Sequence, residues 1–352
     1  MKKSIKPIYL GILYSFVHFS VETACFYLLF SRMVATDYWF AYALIYDAVS
    51  FLPQSVVGYI ADKFPRFPYG VLGLIIILAS LFIKLNALAV IVISLGNVLL
   101  HVDGAEKTLN NCNNKITPNA IFVGGGAFGV VTGNLLGLLN VKWLILIPIV
   151  LIIISVVVVL IIQKYSIVDT ENLPFTLKEV NNNIGDAFLI VLVLFVVTVR
   201  GYIGYAVPTD WNVSNFLTIL LFVSMGAGKM LGGVLADKLG YKLTSFISLI
   251  ASIPFLLFGN SIAVVSLVGV LLFNMTMPVT VGILYSRFPK NPGYAFGITT
   301  IGLFLGLVPQ MFISINSLLI HQILVLTLSL TAYLVLVILL TKKSNLKENT
   351  NA

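Results

Sequence analysis

Charge is the first scarcity in this 352-residue chain: Asp, Glu, Lys and Arg together make up only 10% of it, against about 25% in soluble domains. Beside 59% apolar residues, that scarcity excludes an ordinary water-soluble globular protein. Cysteine is nearly absent too. Cys25 sits in an apolar run and Cys112 in a polar loop, so a disulfide framework and a cysteine-based metal site are both excluded. No Gly-x-x-x-x-Gly-Lys-Ser/Thr loop occurs, which excludes ATP-driven transport by this chain alone. Strict apolar/polar alternation is also missing: runs such as Trp143 to Ile162 are apolar on every face, and a membrane β-barrel is thereby ruled out.

What is present is a series of apolar runs broken by charge and turn clusters, near 8–30, 38–61, 68–84, 86–105, 117–139, 143–162, 186–206, 212–236, 243–259, 261–285, 294–316 and 319–340. A membrane helix needs about 20 apolar residues, so twelve spans are expected and little is left for soluble parts. The amino-terminal Lys2-Lys3 followed by apolar residues imitates a signal peptide. His18 and Glu22 interrupt that run and no small-x-small cleavage site follows, so it reads as an uncleaved first span.

The net charge of +8 is explained by orientation. With the amino terminus inside, sixteen Lys and Arg fall in inner segments and only Arg32, Lys84 and Lys142 in outer loops, with Arg200 and Lys229 inside helices. This is the positive-inside bias for an even number of spans with both termini cytoplasmic. It predicts a multi-pass protein of the plasma membrane, surrounded by lipid, with no need of a nucleic acid partner.

The longest polar segment, Lys164 to Ile184, falls between the sixth and seventh spans. It divides the chain into six-helix bundles at 1–163 and 186–352 joined by a cytoplasmic linker over 164–185. An internal repeat supports the division: Gly58-Tyr-Ile-Ala-Asp62-Lys63 recurs 175 residues later as Gly233-Val-Leu-Ala-Asp237-Lys238. Asn97 and Asn274 keep nearly the same offset. Repeated halves are a recurring build of secondary transporters, with the binding site at the repeat interface near the midplane.

These residues resemble the major facilitator superfamily. Its loop signature after the second helix, Gly-x-x-x-Asp-Arg/Lys-x-Gly-Arg/Lys, is matched by Gly233, Asp237, Lys238, Gly240 and Lys242, with Tyr241 added before the last Lys. The first copy, Gly58, Asp62, Lys63 and Arg66, has Pro65 where glycine is expected. The resemblance implies an all-α polytopic membrane protein of twelve transmembrane helices in two pseudo-symmetric bundles. It also implies that the first helix of each three-helix unit lines a central cavity, and that Asp62 and Asp237, with their basic neighbours, latch the cytoplasmic side.

Ionisable groups at membrane depth are costly and usually face a cavity or a partner. His18 and Glu22 share one face of span one, Asn97 and His101 one face of span four, each at i,i+4 spacing. Asp47 and Gln54 lie on one stripe of span two. Lys229 takes the Gln54-equivalent position in span eight, Arg200 is buried in the apolar run of span seven, and Asn274 precedes Pro278 in span ten. From this placement His18, Glu22, Asp47, Gln54, Asn97, Arg200, Lys229 and Asn274 are candidates to bind a solute, with Glu22, Asp47 or His18 carrying a coupling proton. Glu22 and Arg200 are expected at similar depth, facing each other across the cavity.

His101, near the inner end of its run, is grouped with the gate residues Asp62, Lys63, Arg66, Asp237, Lys238 and Lys242. Tyr14, Tyr27, Tyr46, Tyr202 and Tyr205 read as packing or as stacking surfaces. Gly125, Gly129, Gly133 and Gly137 form a four-residue ridge in span five, echoed by Gly293, Gly297, Gly302 and Gly306 in span eleven, for helices that rock at the interface of the halves.

The expected protein is therefore a secondary active transporter, a monomer without cofactor or metal. It moves a small polar solute, anionic or zwitterionic, by alternating access with a proton as coupling ion. Efflux of apolar compounds by antiport is the alternative within that class. Outside it stand a lipid-handling membrane enzyme, for which His101, Asp103 and Glu106 are the only cluster, and a sensor without flux.

Overall fold

The computed structural model describes residues 5–164, 175–313, 315 and 317–341, apart from the side chain of Tyr205. Both chain ends and residues 165–174 of the polar segment between the halves lie outside the described residues, and the expected placement of the termini falls there.

The described chain is helical almost throughout. In the amino-terminal half, α1 runs Pro7–Arg32, α2 Trp39–Phe51, α3 Gln54–Lys63, α4 Tyr69–Ser80, α5 Asn86–Asn110, α6 Thr117–Leu138 and α7 Leu146–Lys164. In the carboxy-terminal half, α8 runs Asp186–Ala206, α9 Asn215–Leu239, α10 Tyr241–Leu249, α11 Ile253–Phe258, α12 Ala263–Asn274, α13 Thr276–Arg287, α14 Pro292–Phe312 and α15 Leu318–Leu340. Three expected spans are broken: α2 and α3 divide at Leu52-Pro53, α10 and α11 before Pro254, and α12 and α13 at Met275. Proline lacks the amide that would continue the ladder and crowds the turn before it, which accounts for the first two. Joined across these breaks, eleven helices are long and apolar enough to cross a membrane.

The twelfth apolar element, α4, is only 12 residues long. At about 1.5 Å per residue it covers roughly 18 Å of a hydrocarbon layer about 30 Å thick. The run 68–84 thus forms a shorter helix than its composition predicts. In the opposite direction, α5 continues past the expected end at 105 to Asn110. Its polar residues Asp103 and Glu106 are buried against partners rather than opening a loop: Tyr14 donates to the Asp103 carboxylate at 2.7 Å, and Lys107 lies 3.3 Å from Glu106.

Packing inside each half follows one plan, α1 against α6 in the first and α8 against α14 in the second. The glycine ridge of α6 faces α1 along its whole length, where Cβ atoms would meet the carbonyls of Ser15, Phe19 and Thr23 and the Phe30 side chain. This corrects the expectation of an inter-half ridge: Gly125, Gly129, Gly133 and Gly137 bind α6 to its own half. The glycines of α14 divide by depth. Gly293 and Gly297 meet α3 of the other half, while Gly302 and Gly306 meet α8 of their own.

Gly129 gives a direct test of this close approach. A methyl group there would collide with the Phe19 carbonyl and come within 2.8 Å of Glu22 Cβ. Gly129→Ala is expected to lower the unfolding free energy by about 1–3 kcal/mol, as overpacking does, read as a drop in the melting temperature of the detergent-solubilised chain. Gly185→Ala, where nothing lies within 4 Å, is the contrast: it meets no clash and loses only the N-cap preference of glycine over alanine at the start of α8, so its drop should be the smaller of the two.

Candidate functional site

Two sites stand at the interface of the halves, one at its end and one at depth. The end site is built from the repeated motif. Helices normally leave their first N–H groups without intrahelical partners, and neither α6 nor α14 has a side-chain cap of its own. Asp62, on α3, supplies one across the interface, its carboxylate accepting from the Gly293 and Tyr294 amides at 2.9 Å each. Asp237, on α9, accepts from the Ile116 and Thr117 amides at 2.8 and 2.9 Å and from the Thr117 hydroxyl. A carboxylate at a helix amino terminus also meets the positive end of the helix dipole. Gly58 lies backbone against backbone on Gly293, and Gly233 against Ala120 and Thr117, so each carboxylate can reach its helix.

The basic partners of the motif stand aside from these caps. Lys63 lies 4.2 Å over the Tyr59 ring, and Arg66, Lys238 and Lys242 are exposed.

The site at depth is built mostly from the amino-terminal half. The two i,i+4 pairs meet: His18 and Glu22 on α1 face Asn97 and His101 on α5. Glu22 Oε1 lies 3.5 Å from His18 Nε2 and 3.6 Å from His101 Nε2, and accepts from Asn97 Nδ2 at 3.1 Å. Glu22 Oε2 accepts from the Tyr46 hydroxyl at 3.2 Å, and that hydroxyl oxygen accepts from Asn97 Nδ2 at 2.8 Å. The imidazole rings stack edge to face with centroids 4.4 Å apart. Glu22 is 7% exposed, and His18, His101, Asn97 and Tyr46 are buried as deeply or more so.

The tautomers of both rings follow from their other nitrogens. His18 Nδ1 stands 3.0 Å from the Phe122 carbonyl and His101 Nδ1 3.0 Å from the Asn97 carbonyl. A carbonyl only accepts, so each Nδ1 carries the hydrogen and each neutral ring turns the Nε2 lone pair toward Glu22. Three lone-pair-bearing atoms therefore converge, and the point between them calls for a positive charge.

The carboxy-terminal half contributes cations. Lys229 on α9 interacts electrostatically with Arg200 on α8 and with Glu22 and His101 across the interface. Arg200 is 6% exposed. Negative charge thus comes from one half and positive charge from the other.

The remaining candidates separate. Asp47 on α2 is half-buried and within electrostatic reach of Glu22. Gln54 turns its amide back to the Ser50 carbonyl at 2.7 Å and is packed under Gly297, which makes it part of the seam rather than a cavity wall. Asn274 donates to the Val270 carbonyl and borders a cavity of about 120 Å³ inside the carboxy-terminal half, lined mainly by Ile203, Val207, Leu221, Phe222 and Phe273. An apolar cavity of about 150 Å³ holds benzene, so this one is somewhat smaller than a benzene-sized site.

His101 was grouped with the cytoplasmic gate because its apolar run ends there; the continuation of α5 carries it into the central cluster instead. The hydrogen bonds and ion pairs described for Glu22 come from its own half, and across the interface it meets the charge of Lys229. Tyr46, read from the sequence as packing or stacking, proves to be a hydrogen-bond donor to Glu22. The matching i,i+4 pairs on two helices were the signal that the clusters could meet.

No family model and no curated protein matches the chain. Its fold is the major facilitator fold, two pseudo-symmetric six-helix bundles. A solved structure with that fold, the E. coli fucose:proton symporter FucP, is similar over 93% of this chain and 97% of its own, with a TM-score of 0.57 and 11% sequence identity. At that identity the likeness speaks for the fold alone.

Removing one cap at the end site should loosen that end without unfolding either half. Asp237→Ala is expected to cost about 0.5–2 kcal/mol of closure, the usual range for a lost helix cap. Spin labels on α9 and α6 should then show a longer-distance population in pulsed dipolar spectra, whereas Lys238→Ala should leave the distribution as it was.

Proposed function

We propose that the chain is a secondary active transporter that moves a small polar solute, anionic or zwitterionic, by alternating access with a proton as coupling ion. The observation that carries this reading is the reciprocal capping of α14 by Asp62 and of α6 by Asp237. Bodies 1–163 and 186–352, linked through 164–185, are latched at one end by two carboxylate caps set where α3 packs on α14 and α9 on α6. Such contacts open and close without disturbing either bundle's own core, as alternating access requires. The arrangement suits transport better than catalysis, since the groups at depth are divided between two bodies.

The charges at depth support the solute class. Glu22 on one side and Arg200 and Lys229 on the other match a molecule with an anionic end, or with both signs. FucP, by its printed name, takes fucose and a proton; the solute class proposed here is read instead from the mixed charge at depth.

For the coupling proton Asp47 is the favoured carrier. Glu22 accepts hydrogen bonds from Asn97 and Tyr46 and His18 donates to the Phe122 carbonyl, whereas Asp47 has no hydrogen bond or ion pair among the described residues. Around it, α1 brings Glu22, α5 brings Asn97 and His101, and α14 brings no charged group. A carboxylate so placed holds its charge only while water reaches it. Asp47 then gains and loses a proton as the cavity closes and opens.

A thermal-shift screen of the purified full chain against small metabolites at two pH values tests the solute class. Carboxylates or amino acids should raise the melting temperature, and Arg200→Ala should abolish the rise; stabilisation only by neutral sugars or apolar cations overturns the reading. With the solute in hand, Asp47→Asn should lose accumulation driven by a proton gradient in proteoliposomes and keep counterflow exchange. Retained accumulation would remove Asp47 from the coupling step.

A further inference from the structure

The convergence of His18, Glu22 and His101 carries more than a solute contact. We propose that these three residues bind a first-row divalent transition-metal cation through His18 Nε2, His101 Nε2 and Glu22 Oε1. The proposal goes beyond the transporter reading and stands on geometry that holds whether or not the chain moves a solute. It also departs from the expectation, drawn from scarce cysteine, that the chain has no metal site.

Distance is the first argument. The two nitrogens lie 3.5 and 3.6 Å from the carboxylate oxygen, beyond the roughly 2.7–3.2 Å of an N–H···O hydrogen bond. Ligands about 2.0–2.2 Å from a tetrahedral zinc-sized ion stand roughly 3.3–3.5 Å apart. All three donor atoms lie within 4.8 Å of one another, so one ion reaches all three with small adjustments.

Orientation is the second. Each imidazole gives its Nδ1 hydrogen to a backbone carbonyl, Phe122 or Asn97, which fixes the tautomer that leaves Nε2 free to ligate. This outer-shell contact is what metal-bound histidines ordinarily have, and ligating carboxylates are likewise hydrogen-bonded. Glu22 has that support from Asn97 and Tyr46. The Asn97 side-chain oxygen, on an amide 1% exposed, has no hydrogen-bond donor among the described residues, an oxygen beside the site whose pairing is incomplete there.

Donor chemistry is the third. Two imidazole nitrogens with one carboxylate favour zinc, cobalt, nickel, iron or copper over the oxygen-seeking calcium and magnesium. Three protein ligands leave a coordination position open. Lys229 is the opposing influence, a cation that interacts with both Glu22 and His101.

Cobalt(II) titration of the full chain in detergent, with no gradient present, tests the site independently of any flux. Saturable visible d–d bands at one equivalent are expected. His18→Gln and His101→Gln should each weaken binding more than about a hundredfold, past the ten- to hundredfold of a lost outer-shell partner. Lys229→Gln should tighten it several-fold by removing the competing cation, a gain that misfolding does not produce. The absence of saturable bands overturns the proposal, as does binding that the histidine variants leave unchanged.

Zinc X-ray absorption on the unmodified chain guards against variants that fail to fold. Two imidazole nitrogens and a carboxylate oxygen at about 2.0–2.2 Å support the site, and a shell of oxygens alone overturns it. A failed solute screen with intact cobalt binding removes the transport reading only, and the reverse result removes the metal only.

Discussion

Helix amino termini without caps of their own are the constraint around which one end of this protein is organised. Six helices begin there with no side-chain cap from their preceding residue, and four of them receive a carboxylate from elsewhere. Asp62 serves α14, Asp237 serves α6, Asp103 serves α4 through Gly70, and Glu179 serves α10 through Tyr241. The first two cross between the halves, and the last two stay local or come from the segment joining them. Because an amide left bare in a low-dielectric setting is expensive, each of these four helix starts depends on a remote residue. The halves are thereby bound at that end through polar backbone groups, beside close packing of α6 on α9 and of α14 on α3 and ring contacts such as Tyr59 with Tyr294.

The groups at depth obey the complementary rule. Ionisable side chains survive in an apolar layer only in company, and here the company is recruited from the same half: α1 and α5 bring histidine and asparagine to Glu22, and α2 brings Tyr46. That concentration leaves the amino-terminal half as a self-contained polar unit, with the cations of α8 and α9 opposite. Glycine makes the arrangement possible. With side chains at Gly126 or Gly129, α6 would meet the His18 ring or Glu22 Cβ and the cluster would be pushed apart.

Much of this was legible in the sequence. Apolar run length gave the spans, the 175-residue repeat gave the two halves, and i,i+4 spacing gave the shared faces of His18 with Glu22 and Asn97 with His101. What periodicity cannot supply is the identity of the helix opposite a given face. For that reason the α6 glycine ridge was assigned to the wrong neighbour. The end of α5 was misjudged for a different reason: a helix is expected to stop where polar residues begin, and Asp103 and Glu106 continue it because Tyr14, Gly70 and Lys107 satisfy them. Tyr46 looked like packing since a tyrosine in an apolar run usually is.

The contact of Gly58 with Gly293 has a kinetic consequence. Backbones that meet without side chains have no interdigitated rotamers to unlock, so parting Gly58 from Gly293 requires no side-chain repacking at that contact. The barrier to parting that pair then lies in rehydrating the Asp62 carboxylate and the two amides it caps. Its rate should follow the arrival of water at that seam rather than the rearrangement of a core.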